Sequence, residues 1–336
     1  MVISGDVYDV SDASLQGQLR FREALEELGR HGIQVFLIHG NHDPLDGPRL
    51  SSAPPAHVTV FGGSEPERVT VRRREDGREV AVVSGISYPT SKVTENTALR
   101  FSRQPGSSLF HIALLHGNVD GDLQHETYSP CTRKDLIGRG YDYWALGHIH
   151  KRSILHEHPP IVYPGNIQGR SIKETGPKGC YTVDVSAEGG QSGWIFHELD
   201  SVRWQVRELS IDRLSDEAEW TLAVENAVED IRRETPQMMS VVRFRLTGRG
   251  DIHKVLAEKG GRRTTSSLSC SGGKLYVRCA RNMRAWSGRK ASPSKRDLRL
   301  TVSTCFWRTA SWVKCCGLPD TVAGMPQSWT SWSLLR

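Results

Sequence analysis

Four short motifs in this chain contain the residue types that bind divalent metal ions and phosphate. In chain order they are Gly5-Asp6-Val7-Tyr8-Asp9, Gly40-Asn41-His42-Asp43, His116-Gly117-Asn118 and Gly147-His148-Ile149-His150. Each motif follows an apolar run that predicts a β-strand, so each lies on the loop that leaves the C-terminal end of a strand. Open α/β sheets bind their ligands at that edge. The four motifs together therefore predict one metal-dependent catalytic site.

These residues offer what two-metal phosphoester hydrolysis requires. That chemistry uses a carboxylate that bridges two cations, with neutral nitrogen and oxygen ligands completing each coordination sphere. Asp6 can bridge, Asn41 offers an amide oxygen, and His116, His148 and His150 offer imidazole nitrogens. A mixed oxygen and nitrogen set without thiolates suits Mn²⁺, Fe²⁺ or Zn²⁺.

Other polar residues in and near the motifs have different predicted roles. His42 follows the ligand Asn41 directly, so we expect it to contact the scissile phosphate or to protonate the leaving oxygen. Asp9 and Asp43 can orient their neighbours by accepting hydrogen bonds. Arg170 and Lys173, beside a Tyr-Pro-Gly turn, are candidate DNA contacts.

The apolar pattern predicts an α/β fold. The chain should open with a strand at 2–4, a helix capped by Ser11 or Asp12 with Leu15 and Leu19 on its apolar side, and a parallel strand at 35–38. Further predicted strands cover 58–61, 69–71, 80–83, 112–115, 143–146, 161–163, 181–185, 194–197, 204–207 and 241–246, with helices at 132–138 and 216–233.

Composition divides the chain into unequal parts. Residues 262–336 contain 14 Lys and Arg against 2 acidic residues, whereas residues 1–261 contain 30 against 36. The overall charge of +6 therefore belongs to the C-terminal part and gives no support to nucleic-acid binding by the motif-bearing part. No run approaches the roughly 18 apolar residues needed to span a bilayer, so we expect a cytoplasmic protein without a membrane contact.

The C-terminal part, 262–336, also lacks a helical or strand period. It is rich in Ser, Arg, Trp and Cys, whereas disordered segments are poor in aromatic residues. We interpret it as an anomalous tail, translated out of frame from a junction near 260–262, with a disordered basic tail as the alternative. The predicted organisation is a catalytic domain at 1–202, a small domain at 203–261 and this tail.

The motif series resembles that of the calcineurin-like metallophosphoesterases. Tyr163-Pro164-Gly165-Asn166, Gly169-Arg170 and the segment 174–179 are similar to the DNA-repair exonuclease branch of that family, the Mre11, SbcD and YhaO proteins, and most of all to YhaO. The resemblance covers about residues 1–260. It implies a four-layer β-sandwich flanked by helices, followed by a small α+β capping domain.

The resemblance also implies functional roles. Asp6 would bridge two Mn²⁺ ions, Asn41, His116 and His148 would complete one site, His150 would belong to the other, and His42 would be the catalytic histidine. The implied activity is exonuclease or endonuclease cleavage of DNA in a repair complex. The implied partners are DNA, an ABC-type ATPase of the SbcC/Rad50 kind and a second copy of the chain.

The sequence departs from the family pattern at both ends. The family begins with a strand that ends in Asp-x-His, and only five residues precede Asp6 here. We therefore expect the first strand–helix unit to be missing, one metal site to be incomplete, and nuclease activity to be impaired. A phosphatase or cyclic-nucleotide phosphodiesterase on the same fold, and a catalytically dead remnant, are the alternative interpretations.

Overall fold

The computed structural model describes residues 1–8, 14–48, 53–121, 128–185, 191–236, 238–252, 265–270 and 273–278. Contacts divide the chain into two compact units. The first contains Met1–Ile167 and Lys178–Leu199, and the second contains Gln168–Pro177 and continues from Asp200. Within the ranges given above, no helix combines the length and the apolar character needed to cross a membrane.

The first unit begins with a three-stranded parallel sheet. Strand β1 (Val2–Ser4) pairs with β2 (Val35–Ile38), and β2 pairs with β3 (Val58–Val60). Helix α1 (Leu15–Arg30) connects β1 to β2, so the predicted strand–helix–strand order is confirmed.

Helix α1 starts later than the sequence pattern predicts. The Ser14 hydroxyl accepts a hydrogen bond from Gly17 N at 3.1 Å and caps the helix, so the prediction of a cap at Ser11 or Asp12 is wrong. Leu15 and Leu19 are exposed, and Leu25 is the buried residue of the helix. The fully buried contact of α1 therefore lies ten residues after Leu15, nearly three turns further along the helix.

A six-stranded sheet forms the centre of the first unit. Its strands are β4 (Glu67–Arg72), β5 (Glu79–Gly85), β6 (Phe110–His116), β7 (Tyr143–Gly147), β8 (Ser153–Glu157) and β9 (Pro160–Tyr163), in the spatial order β4-β5-β6-β7-β9-β8. The four central strands are parallel, and the edge strands β4 and β8 are antiparallel to their neighbours. Strand β8 was not predicted, because its edge position leaves it without the apolar alternation of a half-buried strand.

The two sheets face each other across an apolar core. Phe36 and Ile38 of β2 pack there with Leu114 of β6 and Ala145 of β7. On its other side, the three-stranded sheet is covered by α1 through Leu25. The four residues of β2 are buried because the strand has packed layers on both faces, which explains its continuous apolar sequence.

The outer face of the six-stranded sheet carries a second core. Trp144 of β7 is fully buried there, with a short 3₁₀ helix (Thr97–Arg100) and helix α2 (Arg133–Ile137) packed over the sheet. The order is thus helix, sheet, sheet, helix, which confirms the predicted α/β class. A hairpin of β10 (Gly179–Val185) and β11 (Gln191–Glu198) adds Trp194 to the core between the sheets.

The second unit is a smaller strand–helix–strand structure. Strands β12 (Val202–Ser210) and β13 (Met239–Thr247) pair in parallel, and helix α3 (Glu217–Glu234) connects them. Trp220 of α3 and Phe244 of β13 belong to its apolar core. Strands β14 (Thr265–Cys270) and β15 (Gly273–Arg278) pair beyond residue 262, where the sequence showed no period; the rest of that tail lies outside the described residues.

Buried His111 of β6 predicts an acid-sensitive fold. Its ring is fully buried and, in the described part of the chain, neither ring nitrogen has a hydrogen-bond partner. Burial lowers the pKa of His111, the charges of Arg103 and Arg68 lower it further, and Asp142 opposes them. The unfolded chain therefore binds more protons than the folded chain below pH 6.5, so the free energy of unfolding should fall as the pH drops.

Replacing this histidine tests that origin of acid sensitivity. We expect His111→Leu to flatten the decrease in unfolding free energy between about pH 6.5 and 5, because Leu cannot take up a proton. Urea titrations at a series of pH values measure the slope, and His31→Gln, at the exposed residue directly after α1, is the matched control. A slope that is equal in the His111→Leu variant and the wild type would contradict the prediction.

Candidate metal centre

Four predicted ligands converge at the C-terminal ends of strands from both sheets. Asp6 and Asn41 follow β1 and β2, His116 ends β6, and His148 follows β7. One ligand atom each from Asp6, His116 and His148 lies within 4.8 Å of the others. The amide oxygen Oδ1 of Asn41 lies 3.0 Å from Nε2 of His116 and 3.2 Å from Nδ1 of His148. The strand topology therefore brings together four of the five predicted ligands.

His116 is held in the tautomer that a metal ligand needs. Its Nδ1 lies 2.8 Å from the Ser4 carbonyl oxygen, and because a carbonyl only accepts, Nδ1 carries the hydrogen. The lone pair of Nε2 then points toward Asn41 and toward Asp6 Oδ2, which is 3.2 Å away. The backbone carbonyl thus fixes both the ring orientation and the free nitrogen.

The donor set fits a divalent cation. Asp6 Oδ2 is buried and, among the described residues, lacks a hydrogen-bond partner, although an ionised carboxylate oxygen is costly to bury in that state. The Asn41 oxygen and the imidazole nitrogens also present lone pairs to the same small region. A cation bound to Asp6, Asn41, His116 and His148 would satisfy all four, and its mixed oxygen and nitrogen ligands suit Mn²⁺, Fe²⁺ or Zn²⁺.

The interaction between Asp6 and His116 lowers the pKa of the carboxyl group and raises the pKa of the imidazole. Burial alone raises the pKa of Asp6, but the charge of protonated His116 and the hydrogen bond that its Nε2 then donates, with the backbone N–H of His42, lower it to about 2. Burial alone lowers the pKa of His116, but the charge of Asp6 and the hydrogen bonds to Asp6 and Ser4 raise it overall. The site therefore stabilises both an anion at Asp6 and a cation beside it.

Asp43 holds the first two motif loops together. Its carboxylate accepts hydrogen bonds from the backbone N–H groups of Asp6, Val7 and Gly40 at 3.1, 2.9 and 2.7 Å. The ring of His39 lies 3.3 Å from the same carboxylate, and both side chains are almost completely buried. Asp43 thus fixes the backbone positions of both loops.

Tight packing around His116 requires glycine at two motif positions. A Cβ added to Gly40 would lie 2.3 Å from Asp6 Oδ1 and 2.5 Å from His116 Cε1. A Cβ added to Gly147 would lie 1.8 Å from the Ser4 carbonyl oxygen and 2.7 Å from His116 Nδ1. The glycines of the second and fourth motifs therefore leave the space that the His116 ring and its backbone acceptor occupy.

His42 and His150 have different relations to the cluster. The backbone N–H of His42 donates to Asp6 Oδ1 at 3.0 Å, and the charge of His42 contributes to the lowered pKa of Asp6. The cluster of ligand atoms does not include His150, whose carbonyl oxygen accepts from Asn166 N at 3.2 Å and from Lys178 Nζ at 3.3 Å. The role of His150 in a second metal site stays a prediction.

Three further candidate residues were predicted from the sequence. Asp9 is outside the described residues. Arg170 and Lys173 belong to the second unit, where the Arg170 backbone N–H donates to Glu174 and the Lys173 backbone N–H donates to Ser171. Their contact with DNA stays a prediction.

The sequence motifs missed the groups that support the cluster. The Ser4 carbonyl orients His116, and the ring of Tyr88 lies edge-on to His116 with centroids 5.2 Å apart. His39 precedes the second motif directly and lies four residues before Asp43, a spacing that could have suggested their pairing. Tyr88 lies in an irregular segment and offers no comparable signal.

Comparison with known proteins agrees with this geometry. Residues 1–152 match the family model of the calcineurin-like phosphoesterases, and residues 204–268 match that of the middle domain of metallophosphoesterase YhaO. The second match runs past residue 261, where composition placed a boundary.

Individual relatives were found in bacteria and archaea. The "Uncharacterized metallophosphoesterase YhaO" of Bacillus subtilis (strain 168) is 38% identical over 259 residues, which cover 77% of this chain and 61% of that protein. The "DNA double-strand break repair protein Mre11" of Methanopyrus kandleri is 24% identical over 295 residues, which cover 80% of this chain and 61% of that protein. The protein of that name from Thermoplasma acidophilum is 26% identical over 221 residues, which cover 62% of this chain and 56% of that protein.

The chain spans about three fifths of the length of the first two of these relatives. The matched regions include the four motifs, and those motifs form the cluster described above. Residues 1–152 therefore belong to the calcineurin-like metallophosphoesterases, and the likeness to the YhaO protein covers 77% of the chain.

Proposed function

We propose that this protein is a divalent-metal-dependent phosphodiester hydrolase that acts on DNA as the nuclease subunit of a repair complex. The observation that carries the proposal is the convergence of Asp6, Asn41, His116 and His148, with an ionised carboxylate oxygen left for a cation. The likeness to proteins named for double-strand break repair supports DNA as the substrate. By the same likeness, an ABC-type ATPase of the SbcC/Rad50 kind and a second copy of the chain are the proposed partners.

The residues of the site have separate proposed roles in phosphodiester hydrolysis. A divalent cation, with Mn²⁺ as the first choice, would polarise the phosphoryl oxygen and neutralise the charge that develops on it. Asp6 and the two imidazoles would hold that cation, and Asp43 fixes the loops that carry Asp6 and Asn41. In the proposal, His42, whose backbone N–H donates to Asp6 Oδ1, gives a proton from its ring to the leaving oxygen. In the proposal, His150 belongs to a second cation.

Substrate class is tested by a comparison of four substrates. We expect Mn²⁺-dependent cleavage of single-stranded and double-stranded DNA to exceed hydrolysis of a chromogenic phosphodiester and of a chromogenic phosphomonoester, and EDTA to stop all of it. Faster hydrolysis of the phosphomonoester would identify a phosphatase. No metal-dependent hydrolysis of any substrate would identify a catalytically dead chain.

His42 should separate catalysis from metal binding. In the His42→Gln variant we expect kcat to fall about 100-fold or more, the range typical of a lost general acid, while Mn²⁺ affinity measured by calorimetry stays close to the wild-type value. His31→Gln, directly after α1, is the matched control, because His31 pairs with Glu27 at the protein surface. An equal loss of Mn²⁺ binding and kcat would show instead that His42 is a ligand.

A further inference from the structure

Four aromatic rings form a continuous series across the metal cluster. The rings of His116 and His148 lie edge-on to each other, with centroids 5.3 Å apart and 66° between their planes. Tyr88 lies edge-on to His116, with centroids 5.2 Å apart, and Tyr128 lies edge-on to His148, with centroids 5.7 Å apart. Each imidazole ligand is therefore in contact with one tyrosine ring, and we call Tyr88 and Tyr128 the flanking tyrosines.

Tyr88 is fixed to the second motif by backbone hydrogen bonds. Its N–H donates to the His39 carbonyl at 3.0 Å, and its carbonyl accepts from Leu45 N at 2.9 Å. These two partners flank the loop that carries Asn41. Only 3% of Tyr88 is exposed, so its ring has little room to turn away from His116 in a close-packed interior. Tyr88 thus connects the second motif to the His116 ring.

Tyr128 connects the third and fourth motifs in the same way. Its carbonyl accepts a hydrogen bond at 2.9 Å from the N–H of Asn118, a residue of the third motif. The next residue, Ser129, is fully buried, and its N–H donates to the Val93 carbonyl at 2.7 Å, which anchors the chain directly after Tyr128. The ring that contacts His148 is therefore carried by backbone attached to the third motif.

The backbone of His148 makes such support necessary. Its φ angle is 91°, in the left-handed region that residues other than glycine rarely adopt. A strained backbone of this kind persists only where surrounding contacts hold it. The Asn41 amide oxygen, 3.2 Å from Nδ1, and the rings of His116 and Tyr128 supply contacts of that kind. Loss of the Tyr128 ring should therefore allow His148 to relax and to turn its imidazole away from the other ligands.

We propose that Tyr88 and Tyr128 are positioning residues that hold His116 and His148 in the orientation that binds the cation. This inference rests on the cation binding in the proposed function and deepens it, because it names groups that preorganise two of the four ligands. A ligand that spends part of its time in another rotamer lowers the apparent cation affinity by the fraction competent to bind. An edge-on ring pair is strong enough to change that fraction about three- to tenfold.

Removal of each ring tests the proposal through cation affinity. We expect Tyr88→Leu and Tyr128→Leu each to weaken Mn²⁺ binding about three- to tenfold in calorimetric titrations, and Tyr88→Phe and Tyr128→Phe, which keep the ring, to bind Mn²⁺ as the wild type does. Tyr141→Leu is the matched control, because the Tyr141 ring lies edge-on to His111, outside the ligand cluster, with centroids 6.0 Å apart. Wild-type affinity in both flanking leucine variants, or an equal loss in Tyr141→Leu, would overturn the proposal.

Bound Co²⁺ gives a second readout, because its visible absorption bands depend on coordination geometry. We expect the bands of the Tyr128→Leu variant to differ in position or intensity from those of the wild type. The bands of Tyr128→Phe and Tyr141→Leu should match the wild type, although Tyr141→Leu removes a ring from the core. Identical spectra for all four proteins would show that the Tyr128 ring does not orient His148, and would overturn its positioning role.

Ring contacts in the wild-type chain decide the case if a leucine variant fails to fold. In EDTA, nuclear Overhauser effects should connect the ring protons of Tyr88 with those of His116, and the ring protons of Tyr128 with those of His148. Absence of both would overturn the proposal, because the imidazoles would then not be held before a cation binds.

The same assays separate this proposal from the proposed function. Wild-type Mn²⁺ affinity in the flanking leucine variants of a chain that cleaves phosphodiesters refutes the positioning role alone. Weakened Mn²⁺ binding in those variants, in a chain that hydrolyses no phosphodiester, refutes the proposed function alone.

Discussion

Asp6→Asn should abolish metal-dependent hydrolysis and lower Mn²⁺ affinity more than about 100-fold, beyond the loss typical of groups that only support a ligand. Asn retains an oxygen that can accept from His42 N, so the loop can keep its shape. The substitution removes the negative charge. It can also replace Oδ2, which lies 3.2 Å from His116 Nε2 in the wild type, by an amide NH₂ group. The change is therefore specific for cation binding.

The measurement is a calorimetric Mn²⁺ titration combined with the hydrolysis assays. Asp46→Asn is the matched control, since it makes the same chemical change at a residue outside the ligand cluster. If the Asp6→Asn variant bound Mn²⁺ with wild-type affinity, Asp6 could not be a ligand, and the central assignment of the metal centre would fail.

Gly147→Ala should be severely destabilising, with a loss of about 4 kcal/mol or more in unfolding free energy, because the new methyl group meets backbone that cannot rotate away. That methyl would lie 1.8 Å from the Ser4 carbonyl oxygen, which is the acceptor that orients His116. Relief of the clash requires β1 to move away from β7. We therefore expect metal affinity to fall together with stability.

Urea denaturation and Mn²⁺ titration measure the two effects. Gly193→Ala on β11 is the control, because a Cβ at that position has no atom within 4 Å. Wild-type metal affinity in a folded Gly147→Ala protein would show that the Ser4 carbonyl does not govern the orientation of His116.

The strands that carry the ligands could be predicted from the sequence, because their physical signal is local. The central strands β2 and β7 are buried on both faces and read as continuous apolar runs, and each ends at a motif. Edge strand β8 lacks that signal, and the start of α1 at Ser14 depends on one capping hydrogen bond that several nearby residues could have made.

The support around the ligands could not be predicted in the same way. The Ser4 carbonyl and His116 are separated by 112 residues in sequence, and a backbone carbonyl has no residue-type signature. The ring contact between Tyr88 and His116 likewise depends on where an irregular segment crosses the sheet edge. Motifs identified the ligands, whereas only the fold could identify what orients them.

The division of the ligands between the two sheets links cation binding to the stability of the whole first unit. Asp6 and Asn41 come from one layer, His116 and His148 from the layer that faces it. A bound ion therefore acts as a cross-link between layers, and it favours the folded state by mass action, by about 2.7 kcal/mol when free metal is a hundredfold above its dissociation constant. The melting temperature of this protein should accordingly depend on the metal content of the buffer, and a chelator should lower it.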